Sequence, residues 1–403
     1  MATPEDPILI VGAGLVGLTL GQALKQKGIP FQIYERDANP SSRTQGWAIT
    51  IHWALSYLES LLPESTLTKI QDAQVDPAIA KNDTGNFLFL NLESGDVKFR
   101  IPPSKRWRVN REGLRRALLS GIEDNVIWGC DIESISFDNA DGKPRVELKD
   151  SDGRKRFSEP GSLLIGVEGS KSPTRRFLCP DAYRNSPLPI RFTGVAVDLS
   201  PEQAAPLRAL DPLLFQGCHP KTGVYLWFSI LETPELGKRD DYRVQICISW
   251  PVKGPGDEVH GSDAERLANM KQRAEGFVAP LYNAVQRIPD GTPVVEVSLA
   301  DWEGQLWDNR GGRVTLAGDA AHAMTMYRGE GANHGLLDTL HLVAAIEKIY
   351  AGGDAKAAMD EYESEMRKRT QQAVQLSRRA CFEAHNWDEL NENCAILSRR
   401  KLD

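Results

Sequence analysis

An apolar run, Pro7-Ile-Leu-Ile-Val11, meets glycine at position 12 and continues as Gly12-Ala-Gly14-Leu-Val-Gly17. The run is short and lacks polar positions, so it reads as a buried strand. Leu15, Leu18 and Leu24 then recur at helical spacing; Gly28 ends the pattern and Pro30 follows. Phe31-Gln-Ile-Tyr34 is a second strand, and Glu35 closes it. A strand–helix–strand unit this short fixes the start of the chain as a right-handed parallel crossover. Its glycines have separate tasks. Gly12 allows the tight turn, Gly14 lets a pyrophosphate reach the helix N-terminus, and Gly17 lets helix and strand pack closely. Glu35 is positioned to accept hydrogen bonds from a ribose and would repel a 2′-phosphate, so FAD or NAD fits better than NADP. The fingerprint alone does not separate the first two.

The remaining chain alternates between two textures. Arg111 to Ser120 reads as a helix, Asn125 to Trp128 and Asp131 to Phe137 as short strands, and Asp138 to Arg156 as a turn-rich hairpin. Ser162-Leu-Leu-Ile-Gly166 is another buried strand. Between Pro187 and Pro293 the pattern becomes alternating, at Ile190–Asp198, Val224–Leu231 and Tyr242–Trp250, which is the mark of an antiparallel sheet. Helices are expected at Ser262 to Ala274 and Pro280 to Arg287. The strand pattern of the core returns at Arg313-Val-Thr-Leu-Ala317. A long helix runs from there to Gly352-Gly353, and an amphipathic one from Ala355 to about Ala384. The expected architecture is α/β: a discontinuous Rossmann-like core of residues 1–75, 102–185 and 294–354, an inserted, mostly antiparallel sheet of residues 76–101 and 186–293, and a C-terminal helical segment of residues 355–403.

Two further stretches complete a pattern. Leu164-Ile-Gly-Val-Glu168-Gly169-Ser-Lys-Ser172-Pro-Thr-Arg175 follows one buried strand. Thr315-Leu-Ala-Gly318-Asp319-Ala-Ala-His322 follows another and leads to Arg328-Gly-Glu-Gly331-Ala332-Asn333 at the start of the long helix. In this order the three motifs resemble the class A flavoprotein monooxygenases, the para-hydroxybenzoate hydroxylase-like family, and within it the small fungal tailoring enzymes. The resemblance implies FAD as cofactor, with Gly12, Gly14, Gly17 and Glu35 at its pyrophosphate and ribose and Arg36 flanking the adenine. It implies that Arg111 reaches the flavin or its phosphates and that Asp319 holds the ribityl or pyrophosphate region. Gly331, Ala332 and Asn333 then face the isoalloxazine, and Arg43 and Gly46 belong to a loop near it. It further implies NAD(P)H as a transient reductant, O2 as co-substrate, and a small-to-medium aromatic or conjugated organic substrate. The setting would be secondary metabolism or aromatic catabolism. Relatives usually carry Asp where Glu168 stands and proline at the positions of Ala323 and Met326. Those missing prolines leave a rival in view, an FAD oxidoreductase or isomerase/cyclase without oxygen transfer.

No residue declares itself catalytic. Tyr327 falls beside the flavin edge in the family pattern, and His52 lies on an apolar stretch where a satisfied core histidine is the simpler reading. Arg191 and Tyr225 lie on the inserted sheet, with ordinary sheet-pairing roles preferred, and only one of Trp227 and Phe228 can face a pocket. His322 reads as structural. Composition narrows the partners. With 48 Lys+Arg against 55 Asp+Glu the chain is acidic, unlike a nucleic-acid binder. Four glycines interrupt the apolar N-terminal run, so no membrane span is expected. The six cysteines form no CxxC pair and no metal-ligand spacing appears, so reduced buried thiols and a cytoplasmic location are expected. The oligomeric state is left open.

Overall fold

Strand Ile8–Val11 is buried on both faces, and it forms the middle of a five-stranded parallel sheet. Phe31–Tyr34 and then Val126–Ile127 lie on one side of it, Leu163–Gly166 and then Val314–Leu316 on the other. The order therefore reverses at the first strand, which opens a crevice beyond its carboxyl end, the usual ligand position in such sheets. The computed structural model describes residues 6–42, 47–138, 142–149, 153–236, 239–259 and 261–398. Arg43 and Gly46 lie outside them.

Helix Leu15–Gln26 follows the glycine turn, and helix Gly331–Tyr350 packs beside it in the same apolar core. A second core belongs to a seven-stranded sheet. Its order is Val295–Asp301, Ser186–Leu199, Tyr242–Pro251, Tyr225–Glu232, Leu214–Cys218, Phe87–Asn91 and Val97–Ile101. All its pairings are antiparallel except that of Leu214–Cys218 with Phe87–Asn91. A two-stranded ribbon, Ala48–Ile51 with Trp107–Asn110, lies between the two bodies. The hairpin expected over 138–156 is present as a three-stranded sheet of Asp131–Phe137, Pro144–Lys149 and Lys155–Phe157.

One expected boundary is corrected. Val295–Asp301 alternates apolar and polar residues and pairs with Ser186–Leu199, so the inserted sheet extends past residue 294. The C-terminal segment packs against both bodies. Helix Ala355–Glu383 buries Ala358, Met359, Tyr362 and Met366 in the first core, and Ala380 and Cys381 in the second. Its 29 residues span about 43 Å at 1.5 Å per residue, long enough to tie both bodies together. Ala395, Ile396 and Leu397 also pack into the second core. All six cysteines are free and buried. Among the described residues, no helix is long and apolar enough to cross a membrane, and no cluster of three metal-ligating side chains occurs.

Candidate functional site

The glycine turn is shaped by contacts a side chain would destroy. Gly12 has φ +110°, and a Cβ there would stand 2.8 Å from the Val167 carbonyl oxygen; at Gly17 it would stand 2.0 Å from that of Gly12. Gly14 differs: a Cβ there meets nothing within 4 Å. It opens onto a cavity of about 580 Å³, at a helix N-terminus whose free N–H groups favour anions. That cavity is lined by Gly12, Gly14, Glu35 and Arg36, by Arg111, and by Asp319, Gly331 and Ala332. Residues far apart in sequence therefore share one cleft, and a bare cradle at Gly14 with cationic and anionic side chains along its wall fits a dinucleotide.

Glu35 lines the cavity and is also tied into the turn itself. Its carboxylate accepts from the Ala13 N–H at 2.6 Å and the Asp37 N–H at 3.0 Å, which fixes the glycine turn. Arg115 braces the same corner through the Ala13 carbonyl and Asp37. One turn along the helix from Arg111, it was assigned no role from sequence. Asn110 caps that helix, accepting from the N–H groups of Glu112 and Gly113, and so sets Arg111 in the first turn. Glu168 lines the cavity but uses its oxygens on Ser172 and Thr174, bracing helix Pro173–Leu178.

Asp319 is deep within the protein, yet its side chain is open to the cavity rather than packed. Burial pushes its carboxyl above the usual range, against the pull of His322, Arg111 and Arg175. The turn before it is held from behind. Asp338 accepts from the Gly318 N–H at 2.8 Å, from His322 Nε2 at 2.6 Å and from Arg369 at 2.7 Å. Burial alone would raise the Asp338 carboxyl, but His322 and Arg369 hold it well below the carboxylate range. His322 is thus a buried support, in line with its structural reading. Asn333 turns its side chain away from the cleft, donating to the carbonyls of Thr50 and Gly329 and accepting from the His52 N–H. It pins the helix start to the ribbon, while Gly331 and Ala332 line the cavity. Ala323 has φ −56° and ψ 130°, a conformation proline also adopts, so the chain takes a proline-compatible path there without the ring.

A second cavity, of about 290 Å³, adjoins the first and shares Asp319, Met326, Gly331 and Ala332 with it. The seven-stranded sheet covers it with Phe87, Phe192, Leu214, Tyr225 and Trp227, while Phe228 points to the other face and stacks on Phe215. Three of the four weak catalytic candidates, His52, Tyr225 and Tyr327, line this cavity. Arg191 does not; it pairs with Glu258 at 2.6 and 2.8 Å. Tyr225 donates to Gln216 Oε1 at 2.7 Å. Tyr327 donates to Ser249 Oγ at 2.8 Å, which lies 2.9 Å from His385 Nε2, while His385 Nδ1 lies 2.7 Å from the Cys381 carbonyl. Burial pushes the Tyr327 phenol well up and pulls His385 down to about 4, so this chain is neutral near pH 7. Ser249 and His385 were not found from sequence, because nothing local links position 249 or 385 to 327. Arg108, on the ribbon strand Trp107–Asn110, also lines the cavity and was likewise missed.

Comparison with known proteins decides the family. Residues 10–57 match the NAD(P)-binding Rossmann-like domain and residues 282–377 the FAD binding domain. The chain is 45% identical to the FAD-dependent monooxygenase dbaB of Emericella nidulans, over 84% of this chain and 86% of that protein. It is 40% identical to the "Probable FAD-dependent monooxygenase" of Arthroderma benhamiae, over 99% of this chain and 96% of that one. The chain belongs to the FAD-dependent monooxygenases. The fold of this monooxygenase is also that of Klebsiella pneumoniae HpxO, solved with FAD and uric acid. The TM-score is 0.74 at 20% identity, over 96% of this chain and 91% of that chain. The enzyme therefore uses FAD, as the three motifs implied.

Proposed function

We propose that the monooxygenase holds FAD in the larger cavity and an aromatic or conjugated organic substrate in the smaller one. The observation that carries this is the meeting of the two cavities at Asp319, Gly331 and Ala332. The pyrophosphate would lie at Gly12–Gly17, the ribose at Glu35 with Arg36 beside the adenine, and the ring at the N-terminus of helix Gly331–Tyr350. Unpaired N–H groups there are ready donors for negative charge on a reduced flavin. FAD, when bound, supplies the redox and oxygen-activating chemistry. The protein contributes a largely apolar roof that excludes water, with Tyr327 in the cavity lining and its hydroxyl tied to Ser249. The balance is one substrate, one O2 and one NAD(P)H with a proton, giving product with one added oxygen atom, water and NAD(P)+. HpxO, which holds uric acid, supports a conjugated ring as substrate by fold alone. The sequence has no second glycine fingerprint, which supports transient binding of the nicotinamide. We also read the parallel sheet as a cofactor domain and the seven-stranded sheet as a substrate domain, and the six buried thiols as those of a cytoplasmic protein.

The test is anaerobic reduction of the purified yellow protein by NADH and NADPH with candidate aromatic substrates, followed by air and mass spectrometry. Product heavier by one oxygen supports the proposal. Turnover without oxygen incorporation would favour the oxidoreductase or isomerase/cyclase reading.

A further inference from the structure

Arg108 is the one feature of the smaller cavity that ordinary packing does not explain. The residue is 5% exposed, yet its guanidinium meets only neutral hydroxyls: Thr50 Oγ1 at 2.9 Å and Ser229 Oγ at 2.7 Å. Its Nε has no partner, and no carboxylate pairs with it among the described residues. The face of Trp227 lies 5.6 Å away. A guanidinium offers five N–H groups, so more than half of its donors are unmatched. Burial, then the nearby charge of Arg106, pulls its pKa down to about 9, and it stays charged at neutral pH. Cys247 is no counter-ion, since burial pushes its thiol up to about 12.

An unpaired buried cation is costly, and proteins rarely keep one without use. If its task were only to bridge two hydroxyls, a neutral amide could do so. The neighbouring Arg106 makes the contrast plain: it also lines the cavity, but Asp83 closes its charge through bonds of 2.7 and 3.1 Å. Arg108 therefore lines the space where substrate is proposed to lie with no opposite charge beside it among the described residues.

We propose that Arg108 is a specificity-determining residue that binds an anionic oxygen of the substrate, a carboxylate or an ionised phenol or enol, and so orients the ring beneath the sheet. This rests on the reading of the smaller cavity as the substrate site. Thr50 and Ser229 hold the guanidinium in place, and Trp227 covers its face.

Binding to the FAD-loaded enzyme tests it, read from changes in flavin absorbance. The probes are 2-naphthoate for a carboxylate, 3-hydroxy-2-naphthoate for a carboxylate beside a phenol, 2-naphthol for an ionisable hydroxyl, and 2-naphthylmethanol as the neutral control. Wild type should bind at least one acidic probe more tightly than the neutral one, and which acid prevails identifies the oxygen. R108Q should weaken that probe about tenfold or more and leave the neutral one unchanged, with R108K between them. Wild type with no preference for any acidic probe overturns the proposal, even where R108Q fails to fold. So does R108Q that keeps the wild-type preference. Flavin content and substrate-free NAD(P)H oxidation, measured on the same samples, separate this outcome from failure of the cofactor assignment, because Arg108 does not line the larger cavity.

Discussion

His385 gives the enzyme an acid-sensitive point far from its surface charges. The ring is buried between the Ser249 hydroxyl and the Cys381 carbonyl, and burial pulls its pKa from 6.5 to about 4, with the Cys381 bond opposing only in part. Between those values the unfolded chain binds a proton that the folded chain does not. Stability therefore rises with pH across this window, is complete above about pH 6.5, and falls as pH drops toward 4. The loss comes to about 1.4 kcal/mol at pH 5.5 and about 2 kcal/mol at pH 5. H385Q keeps an acceptor for Ser249 and a donor for Cys381 but does not titrate. Urea unfolding of both holoenzymes at about pH 7.5 and about pH 5.5, followed by tryptophan fluorescence, should give a pH-dependent loss smaller in H385Q by about 1.4 kcal/mol. His334, pulled down to about 2 by burial and the charges of His322 and Arg369, titrates in the same direction but is present in both proteins, so it cancels in the difference. Equal losses in wild type and H385Q would refute the reasoning.

Gly14 and Gly17 should respond oppositely to alanine. G14A places its methyl in open cavity at a φ of −79°, so the apoprotein should unfold like wild type while its FAD affinity falls. G17A drives a Cβ against the Gly12 carbonyl and should lower the unfolding midpoint itself. D319A should release FAD about ten- to a hundredfold more readily, seen as flavin fluorescence in a filtrate, with far-UV circular dichroism unchanged. D338N removes the charge shared by Gly318, His322 and Arg369 and should cost about 3–5 kcal/mol in urea unfolding. Because the folded pKa of Asp338 lies below its unfolded 3.8, that contribution is full above about pH 4 and is lost only as pH falls through the lower value.

What the sequence revealed follows the range of its signals. The glycine turn, Glu35 and the parallel strands are local patterns, and all were legible. Val295–Asp301 alternates as clearly as its partner, but alternation states which face is buried and not which strand lies alongside, so it was grouped with the nearby strand at 314. Leu214–Cys218 is buried throughout and includes Gln216 and Gly217, which erases the period that would have marked it. Arg108 was missed for a related reason. A charged residue on a strand reads as a solvent-facing position, and only the approach of Thr50 and Ser229, 58 and 121 residues away, makes it a buried cation.

The two cavities are joined by side chains as well as by space. Arg369, on helix Ala355–Glu383, holds Asp338, which holds the Gly318 turn that carries Asp319. About three turns further along, the same helix presents the Cys381 carbonyl to His385, which meets Ser249 and through it Tyr327. One element thus braces both the wall expected to hold the cofactor and Tyr327 in the lining of the smaller cavity. Its register along its own axis fixes their separation, because the buried residues at its two ends lie in different cores and cannot slide independently. Alignment of ring and substrate to within an ångström is what such chemistry requires. A helix whose two ends are buried in different cores, beside the ribbon that lies between them, supplies it.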